Sequence, residues 1–169
     1  MNDRLLVRLL GLSAVIGGFL RVVFSFDIVP VSGRELEVMY DITDVALLFG
    51  LMGIYFADSD KLSPIGFLGF VVAETGIASI VGPDTVAYGI DTYQIGVMVI
   101  SVGLSLLAVT MLVLRSGSSL AALCWLGSTG AGALGNYSGH IDMGFFVAGI
   151  LFGVGFISGG VALFRNATP

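Results

Sequence analysis

The apolar residues of this chain form long runs, separated by short breaks that carry charge, glycine or proline. Windows of about 20 apolar residues, the length a helix needs to cross a bilayer, recur six times along the sequence. Glycine and proline in the breaks are typical of turns between such helices. The pattern therefore predicts six membrane-spanning helices, at Leu5–Phe26, Val38–Ala57, Ser63–Gly82, Tyr93–Leu114, Ser118–Tyr137 and Met143–Phe164.

The composition strengthens the prediction of a membrane protein and leaves little chain for any soluble domain. The mean hydropathy is +1.02, and charged residues make up 11% of the chain, against about 25% in ordinary soluble domains. We therefore expect residues 1–169 to form one all-α, six-span transmembrane domain. The basic and apolar start has the character of a secretory signal, but the apolar run continues to Phe26 without a cleavage-type sequence. We expect this first helix to be retained.

Basic residues fall mainly on one side of the six-span arrangement. The opposite side holds only Arg34, while Arg21 lies within the first span. Because lysine and arginine are enriched in cytoplasmic loops, we expect the richer side and both termini to be cytoplasmic, with the chain in the plasma or cytoplasmic membrane. That side carries Arg4, Arg8, Lys61, Arg115 and Arg165.

The rarest side chains exclude several kinds of chemistry. Cys124 is the only cysteine and His140 the only histidine, so neither an internal disulfide nor a two-histidine haem site can form. Lys61, the only lysine, falls in a loop, which argues against a retinal Schiff base or a phosphate-binding loop. No basic run favours nucleic acid, and no histidine–carboxylate spacing favours a metal. We expect no cofactor, no bound metal and no nucleic-acid partner.

Spans five and six are dense in small residues. Span six contains two G-x-x-x-G pairs, Gly149 with Gly153 and Gly155 with Gly159. Small residues at this spacing let helix backbones approach closely, which drives helix association in lipid. We expect span six to pack on span five or on another subunit, and we expect a homo-oligomer or a partner membrane subunit.

Ionisable side chains are concentrated in the outer half of the predicted bundle. Three different spans contribute Arg21, Asp44 and Glu74, each ~8–12 Å below the outer end of its helix. A charged side chain inside a bilayer costs roughly 2.5–3.5 kcal/mol on insertion scales, so such residues usually mark a functional site. Glu37, Tyr40 and Asp41 share a helix face with Asp44, because residues three and four apart are neighbours on a helix.

Further polar residues reach the same end, where span five closes and span six begins. We therefore predict an outward-facing acidic pocket, closed beneath by apolar side chains. Four of the five tyrosines, Tyr93 among them, lie at the outer boundary of the predicted bundle or beyond it, and most of that pattern is typical of the aromatic belt at membrane interfaces. The candidate ligand-binding residues are Arg21, Tyr40, Asp41, Asp44, Glu74, Asn136, Tyr137 and His140.

Several of these candidates also have a purely structural explanation. Arg21 could form a buried ion pair with Asp44 or Glu74. Asp41 could lie among the lipid headgroups, and His140 could be a solvated loop residue. The sequence leaves both explanations open for each of these residues.

Three functions fit this pattern. In the first, the pocket binds or transports a cation or a small polar solute, with Asp44 and Glu74 as charged ligands and Arg21 holding them when it is empty. In the second, the carboxylates serve an intramembrane acid–base enzyme, such as an isomerase or cyclase, on a lipid-like substrate. In the third, the protein is a structural or accessory subunit of a membrane complex, and its polar groups only hold helices together.

Overall fold

The computed structural model of the protein describes residues 3–26, 33–82, 86–87 and 90–166. Nearly all of these residues are helical, so the predicted all-α class is confirmed. Each predicted span overlaps one long helix, and we number these helices in chain order. The helices are Asp3–Ser25 (α1), Arg34–Phe56 (α2), Pro64–Ile80 (α3), Thr92–Leu114 (α4), Ser119–Ser138 (α5) and Ile141–Asn166 (α6).

Two small elements lie in the connections between these helices. A 3₁₀ turn, Ser59–Lys61, follows α2. Two-residue strands, Val86–Ala87 (β1) and Ile90–Asp91 (β2), pair antiparallel before α4. Neither element adds a layer to the fold, which is a single layer of packed helices.

By length and composition, four of the described helices can cross a membrane: α1, α2, α4 and α6. α3 has 17 residues, or ~26 Å at 1.5 Å per residue, a little less than the hydrocarbon core of about 30 Å. α5 has 20 residues, but its glycine, serine, threonine and asparagine residues lower its hydropathy. The helices therefore indicate a membrane protein with several spanning segments.

Consecutive helices run antiparallel, and α6 returns to pack against α1, so the bundle closes on itself. The glycine contacts show the antiparallel register. Gly17 of α1 faces Leu47 of α2, and Gly103 of α4 faces the backbone of Ala73 in α3. Because α6 lies between α5 and α1, α5 is held away from α1 at both ends of the bundle.

Glycines of α6 bring its backbone close to two neighbours. A Cβ at Gly160 would lie 2.5 Å from the carbonyl oxygen of Gly11 in α1. Gly155 lies against the indole ring of Trp125 in α5. The predicted packing of span six on span five is therefore present, and the contact with α1 is one that the glycine pattern alone did not assign.

Capping side chains fix where two helices begin. The Ser63 hydroxyl accepts a hydrogen bond from the backbone N–H of Gly66 (3.4 Å), with Pro64 in the first turn of α3. The Asp91 carboxylate accepts one from the backbone N–H of Tyr93 (2.9 Å). Such caps satisfy N–H groups that a helix start leaves unbonded. The second cap places Tyr93 in the first turn of α4.

α2 begins at Arg34, one turn before the predicted start at Val38. Its first turn contains Glu35 and Glu37, and carboxylates are favourable there because the helix dipole is positive at its N-terminus. A hydropathy window stops at polar residues, which is why it placed the start one turn too late. The longer helix carries Glu37 towards the end of the bundle where the candidate site lies.

Candidate functional site

A cavity of about 600 Å³ lies at the end of the bundle where α1 and α3 finish and α2, α4 and α6 begin. Among the described residues, its wall contains four carboxylates and one guanidinium, a formal sum of three negative charges, and we call it the acidic cavity. Residues from five of the six helices or their ends contribute to the wall. The polar side chains of the wall are Arg21, Ser25, Glu37, Tyr40, Asp41, Asp44, Tyr93 and Asp142.

Arg21, near the end of α1, joins three helices of the cavity wall. Its Nη2 donates a hydrogen bond to the Tyr93 hydroxyl of α4 at 3.2 Å, although the two residues are 72 positions apart in the sequence. The guanidinium also interacts electrostatically with Asp44 and Tyr40 of α2. This guanidinium, the one cation among the described residues of the wall, is therefore held between α1, α2 and α4.

Two carboxylates of α2 lie at different levels of the wall. Asp44 is the deeper one, and only 6% of it is exposed. Asp41, one turn nearer the helix start, accepts a hydrogen bond from the backbone N–H of Gly82 at 2.9 Å. Gly82 follows α3 with a φ of 108°, a conformation that glycine adopts without strain. Asp41 therefore lines the cavity and also fixes the end of α3 to α2.

The rim of the cavity carries two further carboxylates. Glu37 of α2 and Asp142 of α6 both line the cavity and are exposed. Each lies in the first turn of its helix, where negative charge is stabilised by the helix dipole. The negative field of the wall, from this exposed rim down to buried Asp44, favours the approach of cations.

Aromatic rings form the apolar part of the wall. Phe24 of α1 contacts Tyr40 of α2, with ring centroids 4.8 Å apart. Phe145 and Phe146 contribute from the beginning of α6. The face of an aromatic ring attracts cations, so the wall suits a ligand that combines a positive charge with an apolar part.

Glu74 does not line the acidic cavity. Tyr55 of α2 stacks on Phe70 of α3 at 4.2 Å, and Asp41 bonds Gly82, so these two contacts set the register of the antiparallel pair. In this register Glu74 lies about five to seven residues deeper than Asp44, or roughly 8–10 Å. Counting along the predicted spans puts Asp44 and Glu74 at a similar depth, because it treats Val38 and Gly82 as the outer ends of their helices and therefore as level. In the structure Asp41, not Val38, is level with Gly82.

The carboxylate of Glu74 is also unusual in its surroundings. Both of its oxygens are buried, and neither has a hydrogen-bond partner among the described residues. The residue as a whole is only half-buried, so the side-chain stem is partly exposed while the carboxylate is enclosed. Glu74 is therefore separate from the cavity in both position and environment.

The three candidates around the α5–α6 turn lie outside the acidic cavity as well. Asn136 and His140 are exposed, and Tyr137 is 93% exposed. His140 instead borders a separate, mostly apolar hollow of about 340 Å³ between α5 and α6. These residues reach the expected end of the bundle, but α6 stands between them and the cavity.

The cavity includes polar residues that were not among the sequence candidates. Glu37 lies one turn from Asp41 on the same helix, so helical periodicity could have added it. Asp142 precedes an apolar run at the same end of the bundle. No sequence pattern indicates that Tyr93 contacts Arg21, because this contact depends on the packing of α1 and α4.

Comparison with known proteins assigns no family and no function. No protein-family model matches the chain, and neither a curated protein nor a solved structure matches it. A function therefore has to follow from the chemistry of the cavity itself.

Proposed function

We propose that this protein binds and transports an organic cation, such as a protonated amine, through an outward-facing cavity in a six-span membrane bundle. The observation that carries the proposal is the wall of the acidic cavity. It combines four carboxylates, one arginine and several aromatic rings in a space of about 600 Å³. That volume lies within the range of roughly 300–1,000 Å³ that small-molecule sites occupy.

The chemistry of the wall favours an organic cation over a bare metal ion. Metal ions are usually held by several oxygens at short range, whereas the carboxylates here are spread from the exposed rim to buried Asp44. An ammonium group would donate hydrogen bonds to Asp44, the deepest carboxylate of the cavity. Its apolar part would contact the rings of Phe24, Tyr40 and Phe146.

The arrangement of basic residues supports an outward-facing cavity. Arg8, Lys61, Arg115 and Arg165 lie at the end of the bundle opposite the cavity, while the side chain of Arg4 lies outside the described residues. Since basic residues are retained in the cytoplasm, we place both termini there and the cavity on the outer face of the plasma or cytoplasmic membrane. In this topology α3 and α5 also cross the membrane beside the four longer helices.

The interior beyond the cavity is closed by apolar side chains. Below Asp44 the interior of the described bundle contains large, fully buried apolar side chains: Leu47, Leu51, Ile77, Leu104, Trp125 and Phe156. In the proposed function this is an outward-open arrangement, and passage to the other side requires the helices to rearrange. A bundle of this size is small for a transporter, so we also propose a homo-oligomer or a complex with a partner membrane subunit.

Binding of benzylammonium to the purified protein in lipid nanodiscs tests the proposal. We expect Asp44→Asn to lower the affinity at least tenfold, which corresponds to about 1.4 kcal/mol, because the deepest carboxylate loses its charge. Asp60→Asn is the matched control, since Asp60 is exposed in the turn at the opposite end. Equal affinity in Asp44→Asn and wild type, with both variants folded, would refute the proposal.

A further inference from the structure

Glu74 is a buried acid that does not line the acidic cavity. Both of its carboxylate oxygens are enclosed by protein atoms without a hydrogen-bond partner among the described residues, and it is the only carboxylate there in that condition. Asp44, in contrast, interacts with Arg21 across the cavity. The two acids therefore differ in environment although they lie on neighbouring helices.

No basic side chain of the neighbouring helices lies near Glu74. α3 packs against α4 and α2, and α3 itself contains no other titratable residue. In α4 the only titratable side chain is Tyr93, which is at the cavity end and bonds Arg21. In α2 the flanking groups are Asp44 above and Tyr55 below, and Tyr55 stacks on Phe70.

An ionised carboxylate is strongly disfavoured in such a place. Burial without a partner penalises the charged form of an acid far more than the neutral form. At the level of Glu74, α2 carries Leu51, which is fully buried. In this packing Glu74 is therefore a neutral carboxylic acid that holds its proton.

The cavity is mechanically connected to the helix that carries Glu74. The carboxylate of Asp41 is a wall group of the cavity and is also the acceptor for the backbone N–H of Gly82, just after α3. A cation that binds Asp44 and also reaches Asp41, one turn nearer the rim, competes with that N–H for Oδ1 of Asp41. Loss of the bond frees the end of α3 to move away from α2, which would admit water to Glu74.

We propose that Glu74 is a proton-carrying site, separate from the cavity, whose proton is released to water when a bound cation draws Asp41 away from Gly82. The proton site rests on the geometry of Glu74, while its coupling to a ligand rests on the proposed function. By thermodynamic linkage, protonation of Glu74 would in turn weaken cation binding. The protein would then exchange a proton for an organic cation.

Infrared spectroscopy of the protein in nanodiscs tests the proton site without any ligand. At about pH 7 an exposed glutamate is ionised, so we expect a band from a protonated carboxyl group in wild type and its loss in Glu74→Gln. Glu35→Gln is the matched control and should keep the band, because Glu35 is exposed in the first turn of α2. A wild-type spectrum without the band, or a band that persists in Glu74→Gln, would overturn the proton site.

If Glu74→Gln does not fold, chemical labelling of the wild-type protein tests the proton site instead. In lipid, the O–H of a protonated carboxyl group adds across a C=N bond of a hydrophobic carbodiimide to give an O-acylisourea. An O-to-N acyl shift then gives a stable N-acylurea that retains all atoms of both reactants. We expect mass spectrometry to find this adduct on Glu74 and not on Glu35. Absence of the adduct from Glu74 would count against the proton site.

Addition of benzylammonium tests the coupling separately. We expect the carboxyl band of Glu74 to be lost as benzylammonium saturates the protein, and to be retained with benzyl alcohol, which has a similar shape but no charge. If benzylammonium binds and the band is unchanged, the coupling is wrong. If benzylammonium does not bind, the proposed function and the coupling both fail, while the band still decides the proton site.

Discussion

The two ends of the bundle are built from the same six helices but have opposite interiors. At the cavity end, Arg21 of α1 and the carboxylates of Asp41 and Asp44 of α2 line one open space. At the opposite end, the interior contains closely packed rings such as Trp125 and Phe156, which meet edge to face with centroids 5.2 Å apart. Charged side chains there lie in the turns and towards the exposed ends of helices, and in one of these turns Lys61 pairs with Asp58.

Glycine explains much of the difference. We call the half of the bundle with the cavity the open half and the other the closed half. In the closed half, glycines let helix backbones come into contact, as Gly50 does against Ala14 and Gly160 against Gly11. Close backbone packing supplies the van der Waals contact that replaces the hydrophobic drive in lipid. At the cavity end glycines also bring helices together, as Gly135 does against Gly144, but long polar side chains line the space between α1, α2, α4 and α6. The closed half therefore provides stability, and the open half provides a site.

The closed half should respond most strongly to added volume. A Cβ at Gly50 would lie 2.5 Å from the Cα of Ala14, so Gly50→Ala forces the two backbones apart and should cost about 1–3 kcal/mol of stability. Gly130→Ala is the matched control, because a Cβ there meets nothing within 4 Å. Thermal unfolding in detergent measures both variants. Equal melting temperatures would show that the glycine contact does not hold the closed half together.

The open half should respond in ligand affinity rather than in stability. Tyr93→Phe removes the acceptor of the Arg21 hydrogen bond, and the freed guanidinium would then compete with a ligand for Asp44. We expect benzylammonium to bind several-fold more weakly, by about 1 kcal/mol. Tyr137→Phe should bind as wild type does, since Tyr137 is exposed and lies outside the cavity. Equal losses in the two variants would contradict a specific role for Tyr93.

Substitutions in the turn at the closed end should have the smallest effect on stability and on ligand affinity. Lys61 Nζ donates a hydrogen bond to Asp58 Oδ1 at 2.5 Å, and this bond raises the pKa of Lys61 above that of an unfolded chain. The pair therefore stabilises the protein fully below the ordinary lysine pKa and loses this effect as the pH rises through the higher folded value. Because Lys61 is largely exposed, the contribution is small.

Lys61→Met tests this last region. We expect a slightly lower melting temperature than wild type at neutral pH, a difference that disappears in strongly alkaline buffer, and unchanged binding of benzylammonium. Lys61→Arg should keep the stability at neutral pH, because it keeps the positive charge. A large loss of benzylammonium binding in Lys61→Met would show that the two ends are not independent.

The helices and the polar end could be predicted from the sequence because both follow from local patterns. Runs of apolar residues mark helices whatever their neighbours are, and the depth of Arg21 and Asp44 follows from counting along each helix. The contacts between helices could not be predicted in this way. The register that places Glu74 below the cavity depends on how α3 packs on α2, which no single segment encodes. The position of α6, which separates Tyr137 from the cavity, is likewise a property of the whole bundle.

The most direct test of the account compares two ligands of similar shape on the wild-type protein. Titration calorimetry in nanodiscs would measure the binding of benzylammonium and of benzyl alcohol under the same conditions. The account predicts that benzylammonium binds, that added salt weakens it, and that benzyl alcohol does not compete with it. Equal binding of the two ligands, or binding of neither, would contradict the assignment of the acidic cavity to organic cations.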